Sequence, residues 1–126
     1  MLTIYITHSK SFDFQAELYH PLRSSQLNSE HKIILPHENS TAPFNSKELI
    51  QSGNCDLILA EVSFPATGQG IELGWADAAE VPIICFYTKD AKISGSLKVI
   101  CDTFVEYTDS EDMIIKLQEA LANAQN

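Results

Sequence analysis

Glu72 is the residue of this chain best placed to do chemistry. It follows a buried-looking run at 57–60, bounded by Asp56 and then by the breakers Pro65, Gly68 and Gly70. A short apolar run between turn signals reads as a central strand, and the glycines read as a loop that lets backbone approach a ligand closely. A helix is expected from Gly70 or Ile71, which puts Glu72 in its first turn. There a negative charge gains about 0.3 to 1 kcal/mol from the helix dipole. A carboxylate aimed into a cavity can attack a carbon that carries a leaving group, or face the positive charge that develops as that group departs. Cleavage of an N-glycosidic bond needs such a group at the anomeric carbon, and attack followed by displacement is the route of the retaining glycosidases. The plainer reading is that a first-turn glutamate merely complements the dipole.

Other side chains could serve the same site. Tyr5 falls near the carboxyl end of the first expected strand, where its hydroxyl can reach and orient Glu72, although strand tyrosines are more often packing residues. Thr7, Ser9 and Ser11 offer hydroxyls at the turn after that strand, with His8 between them as a possible ligand contact on the surface. Flavodoxins hold a phosphate at the corresponding turn. The chain lacks the loop chemistry and the loop aromatics a flavin needs, and Trp75 falls within a helix, so no cofactor is expected. Glu48 stands three residues after Asn45, the spacing of a capping box. Glu61, ending the central strand, has a structural or supporting role. His20, His31 and His37 are too dispersed to suggest a site.

The elements that must position these groups follow from periodicity. Strands are expected over 2–7, 32–35, 57–60, 81–87 and 103–107. Between them come a helical stretch to about residue 27, kinked or divided at Pro21, and a short helix over 45–51 that stops at Gly53. After the Glu72 helix come a short helix over 94–100 and an amphipathic helix over 109–124 with the apolar stripe Met113, Ile114, Leu117 and Leu121. Alternating strands and helices imply an α/β fold: a flavodoxin-like three-layer sandwich around a five-stranded parallel sheet. Right-handed crossovers favour the order 2-1-3-4-5. In such sheets ligands bind outside the carboxyl ends of the strands.

Composition sets the bounds. With 126 residues, 44% hydrophobic and 20% charged, the chain fits a single domain over 1–126. No apolar run approaches the roughly 20 residues of a membrane span, and the amino-terminal strand does not read as an export signal. Cys55, Cys85 and Cys101 are odd in number and widely spaced, which suits reduced thiols in a cytoplasm. No metal-ligand cluster stands out. A formal charge of −9 with eight scattered Lys and Arg residues makes nucleic acid a poor partner, while a small phosphorylated ligand is still admissible because backbone N–H groups bind phosphate.

The ordered block Asp56, Ala60, Glu61, Val62, Pro65, Gly68, Gly70, Glu72, Leu73, Gly74, Ala76 resembles the nucleoside 2-deoxyribosyltransferase superfamily, most closely its 2′-deoxynucleoside 5′-phosphate N-hydrolase branch. The resemblance implies that Glu72 is the nucleophile or oxocarbenium stabiliser, that Tyr5 is an active-site tyrosine, and that Ser96 contacts a phosphate. It also implies a nucleoside or nucleotide substrate and a homodimer or larger assembly with sites near the interface, where Ser96 could serve a neighbouring pocket. Two positions depart from the pattern. Ala66 stands where the hydrolase branch carries a phosphate-binding serine, with Thr67 one residue late, and Glu48 replaces an aspartate that touches sugar or base. Thr67, Gly68, Gly70 and Ser96 would line the sugar or phosphate end. Which base is bound, whether the substrate is phosphorylated, and whether water or a nucleobase accepts the sugar all stay open. Two other readings compete: an NAD glycohydrolase of the TIR-like kind, suggested by the opening Ile4-Tyr-Ile-Thr-His-Ser9, and a nucleotide-binding sensor without turnover.

Overall fold

The structure, a computed structural model, describes residues 1–40 and 42–124. Five strands, β1 (Thr3–His8), β2 (Lys32–Ile34), β3 (Leu57–Glu61), β4 (Ile83–Thr88) and β5 (Thr103–Tyr107), form one parallel sheet in the order β2-β1-β3-β4-β5. The helices are α1 (His20–Arg23), α2 (Gln26–Glu30), α3 (Ser46–Gln51), α4 (Thr67–Ala78) and α5 (Ser110–Ala124). A wide π-helical turn, Gln15–Tyr19, leads into α1, and a 3₁₀ turn, Gly95–Val99, precedes β5. The sheet order is the flavodoxin-like one expected from the sequence. Among the described residues no helix is long and apolar enough to cross a membrane.

Side chains alternate across a strand, so β1 feeds two cores. Ile4 and Ile6 join Leu57, Leu59, Ile84 and Phe86 under α1, α2 and α5, where Leu22, Leu27, Met113, Leu117 and Leu121 close the layer. Tyr5 joins Ile58, Ala60, Ile83 and Cys85 under α3 and α4, where Ile50, Leu73 and Ala76 close the other. The register places Thr7 opposite Ala60 and His8 opposite Glu61. Tyr5 and Thr7 therefore share the α4 face, whereas His8 turns to the opposite one.

Two expected elements differ. The stretch after β1 is divided twice: Pro21 lacks the N–H that would continue a regular helix, so a π turn precedes it, and the helix breaks again at Ser24 and Ser25. The helix carrying Glu72 begins at Thr67 rather than Gly70, which takes Glu72 out of the first turn. Gly68 and Gly70 lie in that helix, not in a loop, and a Cβ at either would meet no other part of the protein within 4 Å. Glycine is a poor helix former, but Gln69 between them is buried and its carboxamide bridges the ends of two strands. That tertiary anchor overrides the local preference.

Candidate active site

A cavity of about 510 Å³ opens at the carboxyl end of the sheet, walled by β1, the loops that follow β1, β2 and β3, the start of α3, and α4 from Gly68 to Trp75. Glu72 lines it. Tyr5 Oη donates to Glu72 Oε2 at 2.6 Å, and Thr7 Oγ1 donates to Oε1 at 2.6 Å. Both donors come from one face of β1, two residues apart, and reach up to the same carboxylate on α4. Two short hydrogen bonds, one to each carboxylate oxygen, fix the plane of the group at the cavity wall. Burial, and then the adjacent Glu72 charge, pushes the Tyr5 phenol above the ordinary tyrosine range, so it stays a donor. Tyr5 also stacks on Phe44, with ring centroids 5.7 Å apart and planes at 17°.

Gln69 sets the depth of the site. Its Nε2 donates to the carbonyl oxygens of Thr7 (3.2 Å) and Glu61 (2.7 Å), tying the first turn of α4 to the ends of β1 and β3. Beneath it Glu61 is almost wholly buried and accepts from Ser63 N (2.7 Å), Ser63 Oγ (2.8 Å) and the Tyr107 hydroxyl. Burial outweighs these donors and holds its carboxyl above the usual range. Glu61 does not line the cavity.

His8 is buried, not a surface histidine. Its Nδ1 lies 2.8 Å from the Ser9 carbonyl, which can only accept, so Nδ1 carries the proton and Nε2 accepts from Tyr19 Oη at 2.6 Å. Around it Phe12, Phe14, Tyr19 and His37 form an aromatic cluster with centroids 4.7 to 6.2 Å from its ring. Burial lowers the His8 pKa.

The other expected site residues fall into four places. Ser9, Pro65, Ala66 and Gly68 line the cavity with Tyr5, His8 and Glu72. Thr7 is fully buried and its hydroxyl is engaged by Glu72, so it supports the carboxylate rather than lining the wall. Gly70 and Ser96 line a separate depression of about 320 Å³ on the far side of the α4 amino terminus, which shares Pro65, Ala66 and Gln69 with the first. Thr67, exposed at the start of α4, lines neither. Glu48 is exposed outside both: its N–H donates to Asn45 Oδ1 at 3.3 Å, so Asn45 caps α3, and its carboxylate accepts from Asn45 Nδ2 at 3.2 Å, the side-chain half of the expected capping box without its bond to the backbone N–H. The cavity wall also includes Lys10, His37, Phe44 and Trp75, which the sequence did not single out as site residues. Trp75 lies one helical turn beyond Glu72, a spacing that puts both on one face. Lys10 follows Ser9 directly. His37 and Phe44, on the segment between β2 and α3, carry no comparable signal. Among the described residues no cluster of metal-ligating side chains is present.

No family model matches the chain. A protein of Methanosarcina barkeri (strain Fusaro / DSM 804), provisionally named 2′-deoxynucleoside 5′-phosphate N-hydrolase 1, is 41% identical over 40 residues, 32% of this chain. The match spans 25% of that relative's length. Among solved structures, the CMP N-glycosidase BcmB of Clostridium botulinum superposes with a TM-score of 0.66 over 92% of this chain and 98% of that one, at 16% identity, which shows a common fold. The first of these carries the name of the N-hydrolase branch that the ordered block from Asp56 to Ala76 resembles.

Proposed function

We propose that this protein cleaves the N-glycosidic bond of a nucleoside or nucleoside 5′-monophosphate, by hydrolysis or by transfer to a second base, with Glu72 as nucleophile and Tyr5 and Thr7 orienting it. The observation that carries the reading is the carboxylate itself, pinned by two hydroxyls 2.6 Å away at the wall of an open cavity. The activities named for the two relatives support it. Positive charge developing at the anomeric carbon would meet the free lone pairs of Glu72, and a covalent glycosyl-enzyme would then be resolved by water or an incoming base. Phe44 and Trp75 offer flat apolar surfaces for the nucleobase, while Ser9, Ser11 and Lys10 suit a phosphate at the other end. Pro65, Ala66 and Gly68 would flank the sugar. In a homodimer or larger assembly Ser96, from its separate depression, would serve a neighbouring copy.

Replacing Glu72 by alanine tests the reading. Release of free base from deoxynucleosides, cytidine monophosphate or deoxynucleoside monophosphates, followed by chromatography, should fall by at least about 1,000-fold, as expected when a nucleophile is removed. Circular dichroism should be unchanged. Turnover kept by Glu72→Ala would refute the assignment, whereas calorimetric binding by the native protein with no product from any substrate would mark a sensor instead.

A further inference from the structure

His8, the last residue of β1, leads into the turn Ser9-Lys10-Ser11, and all four residues line the cavity. An imidazole on a cavity wall ordinarily serves as a ligand contact or a proton carrier. Neither use is open to this one. Nδ1 gives its proton to the Ser9 carbonyl at 2.8 Å, and Nε2 is occupied by the Tyr19 hydroxyl at 2.6 Å. The Tyr19 oxygen in turn accepts the His37 N–H at 3.1 Å, so its own proton is directed at His8. Phe12, Phe14 and Tyr19 pack around the ring. Burial lowers the His8 pKa, which keeps the neutral form that this bonding requires. The surroundings therefore hold the ring for a single contact, the one with the Ser9 carbonyl.

That contact fixes a peptide plane. Among the described residues every peptide bond is trans, and in a trans peptide the C=O and the N–H point to opposite sides. With the Ser9 carbonyl drawn onto the buried ring, the N–H of the same peptide, that of Lys10, points away from it. This N–H has no hydrogen-bond partner among the described residues. Ser9 Oγ accepts from Ser11 N at 3.0 Å, which closes the turn and leaves the Ser9 hydroxyl proton to donate. The turn thus offers the Lys10 N–H, the Ser9 and Ser11 hydroxyls and the Lys10 ammonium as donors, with the Ser9 carbonyl turned aside. Donors gathered without a competing carbonyl suit a phosphate dianion, which a chain of formal charge −9 would otherwise repel. We propose that His8, with Tyr19 holding its tautomer, is the positioning residue of a 5′-phosphate subsite at this turn, and so sets a preference for nucleoside monophosphate over free nucleoside.

The inference rests on the N-glycosidase reading of the same cavity and adds its substrate class. A nucleoside and its monophosphate present the same C1′ to Glu72. A device at the phosphate end therefore changes the ratio between them, whereas a general weakening of the fold does not. His8→Phe keeps a ring among Phe12, Phe14 and Tyr19 but offers no donor, which frees the Ser9 peptide to turn. His8→Asn places a carboxamide N–H near the position of Nδ1.

The test measures turnover of deoxynucleoside 5′-monophosphates and of cytidine monophosphate, each paired with its free nucleoside. The native protein should favour the monophosphate. His8→Phe should cut the monophosphate-to-nucleoside ratio of kcat/KM by about 10- to 100-fold, the loss of one hydrogen bond to a charged group. His8→Asn should restore most of that ratio, and Tyr19→Phe, which releases Nε2 and with it the other tautomer, should lower it in part. Should His8→Phe not fold, Tyr19→Phe carries the same comparison. The same pairs titrated calorimetrically against Glu72→Ala read the ratio in Kd without chemistry. An equal fall on both members of each pair, or a native protein with no preference for the monophosphate, would overturn the proposal with Glu72 untouched. Base release kept by Glu72→Ala, or none by the native protein from any substrate, would instead strike the N-glycosidase reading, and the ratio in Kd would still decide the role of His8.

Discussion

At the scale of single residues, Tyr5 and Thr7 make separable contributions to one carboxylate. Each donates a hydrogen bond to the Glu72 carboxylate, and losing one of a group's partners costs about 1 to 3 kcal/mol. Tyr5→Phe and Thr7→Val should therefore each cost roughly 10- to 100-fold in kcat, with KM little changed, since neither removes a cavity wall. The double variant measured in the same assay should show coupling, because the two hydroxyls fix one plane together. The Tyr5 contact could be anticipated from its place near the end of the first strand. Thr7 has the same parity on that strand and faces the same way, so its partner is equally open to inference, but its type and position group it with the hydroxyls of the turn. His37 was not legible at all, because its neighbours His8, Phe14 and Tyr19 come together only when the segments after β1 and β2 fold against each other.

The capping of α3 is a matter of the element rather than the site. Asn45 Oδ1 accepts from Glu48 N and the two side chains meet, while Gly53, at φ +83°, turns the chain beyond Ser52. Asn45→Ala should lower unfolding free energy by about 1 kcal/mol in urea titrations. Glu48→Ala should leave turnover as it is, since the side chain lies outside the cavity. The five strands and their order were readable because sequence periodicity and crossover handedness leave few alternatives. The start of α4 was not. Local glycine content argued for a loop at 68–70, while the anchor that makes it helix, Gln69 on carbonyls eight and sixty-two residues away, is non-local.

The molecule as a whole carries a formal charge of −9, and one of its carboxyls is enclosed at the carboxyl end of the sheet. Glu61 binds its proton more tightly in the folded chain than in the unfolded one. The stability this contributes is fully present below the unfolded carboxylate value and is lost as pH rises through the raised folded value. Melting temperatures followed from about pH 4 to about pH 8 should decline for this reason as well as from general repulsion, and Glu61→Gln should flatten the first part only. Above that carboxyl sits the carboxamide of Gln69. With its amide group donating to carbonyls near the ends of neighbouring strands, it works as a hinge pin, coupling any tilt of the Glu72 helix to both strand tips at once.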